Sequence, residues 1–357
     1  MATYLMTGTC GFIGSNMVLY MLKKYDNIMI INLDALTYAG NLENLKDVEN
    51  DQRHVFVHGD IRDKALVTQL LEEYDPDFVI NFAAESHVDR SIADPEIFVS
   101  TNVSGTVNLL QCCKEAWYDS TSKTWKKDKK YLQVSTDEVY GALGAEGYFT
   151  EDTPINPHSP YSASKASADH FVRAFHDTYG MPVNITRCSN NYGSYQFVEK
   201  LLPLMINNAM QHKSLPVYGD GMQIRDWLYV EDHCKAIDMV ASNAKPGEIY
   251  NVGGHNERTN IFIVKTIFKQ LSVRLNDPDI NEDLIKHVED RLGHDRRYGI
   301  DPSKIKSNLG WYPETPFEVG IVKTIDWYLA NQDWVKNVAS GDYQKYYESM
   351  YGGKKEI

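Results

Sequence analysis

Short apolar runs alternate with amphipathic segments of helical length along the first half of the chain. Strands separated by helices form βαβ units, whose strands are parallel. The pattern therefore predicts an α/β fold with a doubly wound parallel sheet. The predicted strands are YLMT (4–7), IMIINL (28–33), VFVHG (55–59), FVINFA (78–83), YLQVS (131–135) and VNITRC (183–188). The predicted helices lie at about 12–24, 64–74, 95–117 and 161–179.

The regular alternation stops after residue 188, where turn-rich, basic and aromatic stretches begin. We assign residues 1–188 to a large domain, and we expect a helix and a strand at about 226–253 to return to it. Residues 189–225 and 254–357 are assigned to a smaller domain that closes over a ligand.

The composition is that of an ordinary globular protein, since 43% of the 357 residues are hydrophobic and 24% are charged. A net charge of −13 disfavours nucleic acid as a partner. No apolar run approaches the roughly 20 residues that cross a bilayer, and the N-terminus lacks the charged region of a targeting signal. We therefore expect a cytoplasmic protein with no membrane partner. The five cysteines show no C-x-x-C spacing, so we expect reduced thiols and neither disulfides nor a metal site.

A glycine-rich turn, MTGTCGFIG, comes after the first predicted strand and precedes the first predicted helix. Its Gly8, Gly11 and Gly14 let the backbone approach a pyrophosphate at a helix N-terminus. Asp34 ends the second strand 20 residues after Gly14, where a carboxylate can hold ribose hydroxyls and would repel a 2′-phosphate. The pattern predicts a Rossmann dinucleotide site that prefers NAD to NADP. Asp60, which ends the third strand, is interpreted equally well as an adenine contact and as a helix N-cap.

The stretch YSASK places Tyr161 and Lys165 four residues apart at the start of a predicted helix, so both lie on one face. A lysine ammonium beside a phenol lowers the pKa of the phenol. We therefore expect Tyr161 to take a proton from a substrate alcohol while hydride leaves for nicotinamide. Thr136 ends a predicted strand 25 residues before Tyr161. The alternative interpretation is that Tyr161 and Lys165 belong to a helix with a purely structural role.

The strand that carries Thr136 ends on two adjacent acids, Asp137 and Glu138, in STDEVYG (135–141). Carboxylates are costly to bury unless another group pairs with them or uses them. One interpretation is that the strand surfaces there and water solvates both acids. The other is that one acid gives a proton and the other takes one.

Together these motifs resemble the extended short-chain dehydrogenase/reductase family of nucleotide-sugar enzymes, and within it the dTDP-glucose 4,6-dehydratase family. The resemblance runs from residue 5 to about 330. The stretches that carry it are AAESHVDRS (83–91), STDEVYG (135–141), SNNYG (189–193), QFVEKL (196–201), PVYGDGMQIRDWLYVEDH (216–233) and GHDRRY (293–298). It implies an NAD-dependent hydro-lyase that converts dTDP-glucose to dTDP-4-keto-6-deoxyglucose.

The resemblance implies oxidation at carbon 4 of the hexose, elimination of water across carbons 5 and 6, and return of hydride to carbon 6. Elimination needs a base and an acid at neighbouring carbons. The resemblance makes Asp137 the acid and Glu138 the base. It makes Tyr161 the base of the oxidation step, with Lys165 beside it, and Thr136 the residue that holds the reacting hydroxyl.

The resemblance also implies which residues contact each ligand. The residues expected to bind NAD are Gly8, Gly11, Phe12, Ile13, Gly14, Asp34, Thr37, Asp60, Ile61, Ala83, Ala84, Thr101, Tyr161, Lys165 and Asn191. The residues expected to bind dTDP-glucose are Ser86, Thr136, Asp137, Glu138, Asn190, Lys200, Leu201, Pro216, Val217, Tyr218, Arg225, Asn260, Asp290, Arg291 and His294. A homodimer that pairs the helices at about 95–117 and 161–179 is implied as well, and a role in deoxysugar biosynthesis, for example of rhamnose.

Four positions depart from the usual pattern of the family. Thr9 and Cys10 stand where the glycine loop commonly reads Gly-Ala, and Ser194 and Val198 stand at usual proline positions. None of them replaces a group that does chemistry. An exposed thiol at a helix N-terminus has a lowered pKa, so we expect Cys10 to be alkylated in a reaction that bound NAD prevents.

Three alternatives stay open at the level of the sequence. A nucleotide-sugar 4-epimerase shares the glycine loop, Tyr161 and Lys165, but it has no use for Asp137 and Glu138. A UDP-glucuronate decarboxylase would need a carboxylate-binding pocket. A non-catalytic NAD-binding regulator on the same fold would be expected to lose Tyr161, Lys165 or the two acids, and all are present.

Overall fold

Seven parallel strands form the central sheet of the computed structural model, which describes residues 1–37, 39–290 and 292–339. The strands of the described residues, in the central sheet and outside it, are β1 (Ala2–Thr7), β2 (Ile28–Asp34), β3 (His54–His58), β4 (Phe78–Asn81), β5 (Tyr118–Asp119), β6 (Thr124–Trp125), β7 (Lys130–Thr136), β8 (Val183–Cys188), β9 (Asn190–Tyr192), β10 (Leu215–Tyr218), β11 (Ile224–Tyr229), β12 (Ile249–Val252), β13 (Glu257–Thr259) and β14 (Ile285–Val288). The helices are α1 (Phe12–Lys24), α2 (Lys64–Tyr74), α3 (Val88–Ala93), α4 (Pro95–Phe98), α5 (Thr106–Trp117), α6 (Pro160–Tyr179), α7 (Leu201–Met210), α8 (Val230–Asn243), α9 (Asn260–Leu275), α10 (Ser303–Leu309), α11 (Phe317–Ala330) and α12 (Gln332–Val338). Short 3₁₀ helices lie at Leu42–Val48, Asp137–Tyr140 and Glu282–Leu284, and a π-helical segment lies at Val99–Gly105.

The strand order across the central sheet is β12-β8-β7-β4-β1-β2-β3. The chain moves outward from β1 to β3 and then crosses to the other side of β1 to form β4, so the winding reverses between β1 and β4. Sheets of this kind bind ligands outside the carboxyl ends of the strands, at the reversal. The predicted doubly wound parallel sheet is confirmed, and all six predicted strands belong to it.

Helices cover both faces of this sheet because its strands are apolar on both sides. On one face α1 packs against α8, where Met17, Val18 and Ile237 are fully buried. On the other face α2, α5 and α6 pack together over Leu109 and Val172. Burial on both sides holds the strand ends, and the loops attached to them, in fixed positions.

Two predicted elements differ in detail from the observed ones. The helix expected at 95–117 is α4, the π-helical segment and α5 in succession. A Cβ on Gly105, at the end of the π-helical segment, would lie 2.5 Å from the Ile61 side chain, so the helix passes close to the turn after β3. The strand expected at 78–83 ends at Asn81, because the chain then turns to cover the glycine loop.

The chain after β8 builds a second core. β9, β11 and β13 form a three-stranded sheet, and β10 and β14 form a two-stranded one. Helices α7, α9 and α11 pack beside these sheets and bury Leu202, Ile263 and Ile321. β12, which comes after α8, instead pairs with β8 at the edge of the central sheet.

A buried ion pair joins α6 to the central sheet. Arg187 on β8 donates from Nε to Asp169 Oδ2 at 2.9 Å, and the exposed fractions of the two side chains are 4% and 1%. Arg187 also donates to the Tyr140 hydroxyl at 2.9 Å. Breaking a buried pair leaves one charge uncompensated in a medium of low dielectric constant.

Asp169→Asn is expected to lower the free energy of unfolding by about 3 kcal/mol or more. The matched control is Asp177→Asn on the same helix, which breaks an exposed pair with Arg173 and is expected to change stability by less than about 1 kcal/mol. Urea unfolding followed by circular dichroism measures both. Equal shifts of the two urea midpoints would contradict the inference that the buried pair stabilises the fold more than the exposed pair.

Candidate active site

The glycine-rich turn between β1 and α1 is shaped by close backbone contacts. Gly8 has a φ of +68°, and a Cβ there would lie 2.5 Å from Ala83 Cα. A Cβ on Gly14 would lie 2.5 Å from Thr9 Cα. A Cβ on Gly11 would meet only the Gly8 carbonyl oxygen, at 3.3 Å. Gly11 therefore borders open space, while Gly8 and Gly14 allow the turn to pack.

Within the described residues, no side chain caps the N-terminus of α1, which starts directly after Gly11. The first N–H groups of a helix have no partner within the helix and favour an anion. This open N-terminus, with space above Gly11, fits the pyrophosphate of a dinucleotide.

All the residues predicted to bind the cofactor line one cavity of about 320 Å³ at the carboxyl edge of the sheet. Those residues are Gly8, Gly11, Phe12, Ile13, Gly14, Asp34, Thr37, Asp60, Ile61, Ala83, Ala84, Thr101, Tyr161, Lys165 and Asn191. Other lining residues were not predicted from the sequence, among them Arg62, Glu85, Gln196 and Phe197.

Two carboxylates predicted to contact the nucleoside line this cavity. Asp34 is buried, and it accepts hydrogen bonds from the N–H groups of Cys10 at 2.7 Å and Leu36 at 2.8 Å. Burial raises its pKa. Asp60 pairs with Arg62 at 2.6 Å. The N-cap interpretation of Asp60 is wrong, because α2 is capped by Asp63.

The side chains of the two acids after β7 do not lie in bulk solvent. The Thr136 hydroxyl accepts a hydrogen bond from the Glu138 N–H at 3.3 Å and so caps the short 3₁₀ helix that carries both acids. Asp137 is 2% exposed and Glu138 is half-buried, and both line the cavity. A solvated strand end is therefore excluded for Asp137.

The surroundings of Asp137 favour its neutral form. Burial raises its pKa well above the usual range, and the negative charges of Glu138 and Asp226 add to the effect. Its Oδ2 atom is buried and has no hydrogen-bond partner among the described residues. A neutral carboxyl group with an open oxygen in a cavity can donate a proton to a ligand.

Tyr161 and Lys165 lie on the first turns of α6, which begins with a capping box between Ser159 and Ser162. The expectation that Lys165 lowers the pKa of Tyr161 is wrong for this arrangement. Burial and then the charge of Glu138 raise the pKa of the Tyr161 phenol. The Lys165 ammonium donates instead to the Val134 carbonyl oxygen at 2.7 Å, and burial lowers its pKa.

Asn102, in the π-helical segment, holds the loop after β4 against α6. Its Oδ1 accepts from the Glu85 N–H at 2.8 Å, and its Nδ2 donates to the Glu85 carbonyl oxygen at 3.0 Å and to Ser164 Oγ at 2.8 Å. Asn102 is 2% exposed. This residue was not predicted from the sequence, although the polar stretch STNVSG within an apolar helix pattern was an available signal.

A second cavity, of about 190 Å³, lies beside the first. The predicted substrate residues that line it are Ser86, Glu138, Asn190, Lys200, Leu201, Pro216, Val217, Tyr218, Arg225, Asn260 and His294. Four of these residues, Ser86, Glu138, Asn190 and Lys200, line both cavities, so the two cavities are adjacent.

The remaining predicted substrate residues are placed differently. Thr136 and Asp137 line the first cavity. Asp290 lines neither cavity and instead contacts the Nδ1 atom of His294 at 2.6 Å. Arg291 lies outside the described residues.

The arginine predicted to grip the diphosphate, Arg225, is buried and bonded to neighbouring backbone. It donates to the carbonyl oxygens of Ile224 at 2.8 Å and Asp295 at 2.9 Å. Its guanidinium also lies 4.2 Å from the centre of the Tyr298 ring. These contacts hold the guanidinium plane at the wall of the second cavity.

Known proteins are similar in sequence to nearly the whole chain. The family described as GDP-mannose 4,6 dehydratase matches residues 5–324. The dTDP-glucose 4,6-dehydratase of Xanthomonas campestris pv. campestris is 55% identical over 346 residues, which cover 96% of this chain and 98% of that protein. The chain belongs to the dTDP-glucose 4,6-dehydratase family.

Crystal structures of dTDP-glucose 4,6-dehydratases have the same fold. The Bacillus anthracis enzyme, in complex with NAD, matches with a TM-score of 0.84 and 46% identity, over 95% of this chain and 100% of that chain. The Streptomyces venezuelae enzyme, with NAD bound, matches with a TM-score of 0.87 and 43% identity, over 94% of this chain and 99% of that chain.

The departures of this chain from the usual dehydratase loop are accommodated inside the protein. Thr9 is buried, and its hydroxyl donates to Asn32 on β2. Cys10 is fully buried, and its sulfur accepts from Asn32 Nδ2 at 3.7 Å. Val198 is fully buried in the second core, and the Ser194 carbonyl oxygen accepts from a side chain of α1 at 3.0 Å.

The prediction of a reactive Cys10 is wrong. Burial, with the nearby charge of Asp34, raises the pKa of the thiol to about 12. A thiolate forms at a helix N-terminus only where solvent or a cation stabilises it.

Alkylation of Cys10 by iodoacetamide at pH 8 is expected to be at least about 100-fold slower in the native protein than in urea, because few thiolates form. Addition of NAD is expected to leave the rate unchanged. Peptide mass spectrometry measures the labelling, and protection by NAD would contradict the structure.

Asp137→Asn is expected to make the protein more stable than its parent at pH 8. The raised pKa means that folded Asp137 binds its proton more tightly than unfolded Asp137. Its contribution to stability is therefore full below the unfolded pKa of about 3.9 and is lost as the pH rises through the folded pKa. Asparagine does not titrate, so the gain should shrink as the pH falls toward 4. Melting temperatures of both proteins between pH 4 and pH 8 test the sign of this pH dependence. A gain in stability of Asp137→Asn that is largest at pH 4 would contradict it.

Proposed function

We propose that the protein is an NAD-dependent dTDP-glucose 4,6-dehydratase, a hydro-lyase that forms dTDP-4-keto-6-deoxyglucose. The observation that carries this function is the buried Asp137, with a raised pKa and an oxygen that has no hydrogen-bond partner among the described residues, next to Glu138 and in the same cavity as Tyr161. Oxidation at carbon 4 alone would not need the two acids. Loss of water across carbons 5 and 6 needs both a proton donor and a proton acceptor.

Bound NAD would supply the hydride acceptor for oxidation at carbon 4 and the hydride donor for reduction at carbon 6. The cradle formed by Gly8, Gly11 and the N-terminus of α1 would hold the pyrophosphate. Asp34 would accept from the ribose hydroxyls, because it lines the cavity within reach of the loop. The other cofactor contacts are proposed for the remaining predicted residues that line the first cavity.

The proton transfers divide among three side chains. Tyr161, in its phenolate form, takes the proton of the carbon 4 hydroxyl, and Thr136 holds that hydroxyl. The resulting ketone acidifies carbon 5, from which Glu138 takes a proton. Asp137 gives its proton to the departing hydroxyl of carbon 6, a role that suits an acid whose pKa is raised by burial.

The second cavity would hold the nucleotide part of the substrate. Arg225 and Asn260 would contact the diphosphate, since a guanidinium fork suits phosphate oxygens. The segment 216–218 would flank the thymine. Because Glu138 lines both cavities, the hexose between diphosphate and nicotinamide would reach the acids.

We also propose roles for the two domains, an oligomeric state and a cellular location for the enzyme. Residues 1–188 with 226–253 form the NAD-binding domain, and 189–225 with 254–357 bind the nucleotide-sugar.

A homodimer would bury Val99 and Phe171, which are 54% and 42% exposed on the helices expected to pair. The described residues contain no helix that is both long and apolar enough to cross a membrane. A cytoplasmic place in deoxysugar biosynthesis, for example of rhamnose, is proposed on the family alone.

The purified protein, given dTDP-glucose in deuterated water without added NAD, is expected to yield a 4-keto-6-deoxy product. Carbon 5 should carry solvent deuterium, because Glu138 exchanges its proton with water before the proton returns. Nuclear magnetic resonance and mass spectrometry measure both features. Inversion at carbon 4 without loss of water would establish an epimerase instead.

The assignment of the base is tested by Glu138→Gln, which is expected to lower turnover by about 100-fold or more while NAD stays bound. Glu72→Gln is the matched control, since Glu72 is exposed on α2, and its turnover should equal that of the parent. Full activity of Glu138→Gln would overturn the role of Glu138.

A further inference from the structure

The last helix of the described residues, α12, is linked to the glycine loop through the side chain of Asn44. The indole Nε1 of Trp334 donates to Asn44 Oδ1 at 2.8 Å, and Asn44 Nδ2 donates to the Cys10 carbonyl oxygen at 2.8 Å. Trp334 is 8% exposed and Asn44 is 3% exposed. A residue 290 positions away from Asn44 in sequence is therefore two hydrogen bonds from the loop.

The chemistry of these groups determines which way the Asn44 amide points. An indole N–H can only donate, and a backbone carbonyl oxygen can only accept. The amide oxygen of Asn44 must therefore face Trp334, and its NH₂ group must face Cys10. Without the indole donor, the buried oxygen of Asn44 would lose the hydrogen bond that holds it in this orientation.

The orientation of the Cys10 carbonyl matters because the next residue, Gly11, borders the cofactor cavity. The peptide between Cys10 and Gly11 is planar, so the direction of the carbonyl sets the direction of the Gly11 N–H. That N–H donates to the Gly8 carbonyl oxygen at 3.3 Å, so the same peptide fixes the turn that leads into α1. Gly11 lines the first cavity directly before α1. Cys10 is held from both sides, since its N–H donates to Asp34 at 2.7 Å and its carbonyl also accepts from the Asn41 N–H at 3.0 Å.

Trp334 is itself fixed by an aromatic cluster. The centre of its ring lies 5.1 Å from that of Trp327, 6.0 Å from that of Tyr195 and 6.2 Å from that of Tyr328. The Tyr328 hydroxyl donates to the carbonyl oxygen of Gln196, which lines the first cavity. The cluster therefore holds Trp334 rigidly against Asn44 and supports a second wall of the same cavity.

We propose that Trp334 is a positioning residue for the cofactor: through Asn44 it holds the Cys10–Gly11 peptide, and with it the turn that directs the N-terminus of α1 toward the pyrophosphate. The inference rests on the proposed use of NAD. It extends the cofactor site to a helix that contributes no residue to either cavity.

Trp334→Phe tests the proposal, because phenylalanine keeps an aromatic ring in the cluster and removes the N–H donor. The variant is expected to release NAD about fivefold faster than its parent, as expected for one lost hydrogen bond. Protein loaded with NAD is freed of excess cofactor, and released NAD is trapped as NADH by alcohol dehydrogenase and ethanol. Thymidine diphosphate binding, measured by calorimetry, should stay within about twofold of the parent, because Trp334 does not line the second cavity.

Trp327→Phe is the matched control, with the same change in the same cluster at a residue that does not bond Asn44 in the described contacts. Asn44→Ala provides a second variant, expected to release NAD at least as fast as Trp334→Phe. If Trp334 acts through Asn44, the double variant should release NAD no faster than Asn44→Ala alone.

Three outcomes would overturn the proposal. They are a release rate for Trp334→Phe within about twofold of that for Trp327→Phe, additive effects in the double variant, and equal losses of NAD and thymidine diphosphate binding. Absence of NAD binding by the parent protein is a separate result, which would overturn the proposed cofactor itself.

Discussion

The burial of Asp137 at the end of β7 is the constraint on which the chemistry of this protein depends. β7 lies inside the sheet, between β4 and β8, so its carboxyl end emerges among other loops and not into water. There the first acid is buried and its pKa is raised, and its neighbour Glu138 lines both cavities. Two adjacent residues of the same chemical type can then take opposite roles because their surroundings differ.

Parallel pairing brings the other parts of the site to the same edge. The glycine turn comes after β1, Asp34 ends β2, and the loop held by Asn102 comes after β4. Each adds one wall to a single cavity. Helix α6, anchored to β8 through the buried pair of Asp169 and Arg187, presents Tyr161 to that cavity. The large core thus serves mainly to fix where strand ends and one helix N-terminus meet.

Connections that are distant in sequence complete the site. The second core supplies the walls of the second cavity, and its last described helix reaches back to the glycine loop through Trp334 and Asn44. The Thr9–Cys10 departure fits this arrangement. Both side chains bond Asn32 inside the protein, so the backbone of the loop, and not its side chains, faces the ligand.

The parallel sheet, the glycine turn and the acid pair could all be predicted from the sequence, because alternating patterns and turn residues are local properties of the chain. The contacts that those residues make could not be predicted from the sequence. The cap of α2 is Asp63 and not Asp60, Lys165 binds the Val134 carbonyl, and the thiol of Cys10 is buried. Each of these features is set by the tertiary structure, since burial and hydrogen-bond partners, and therefore pKa values, depend on residues far apart in the chain.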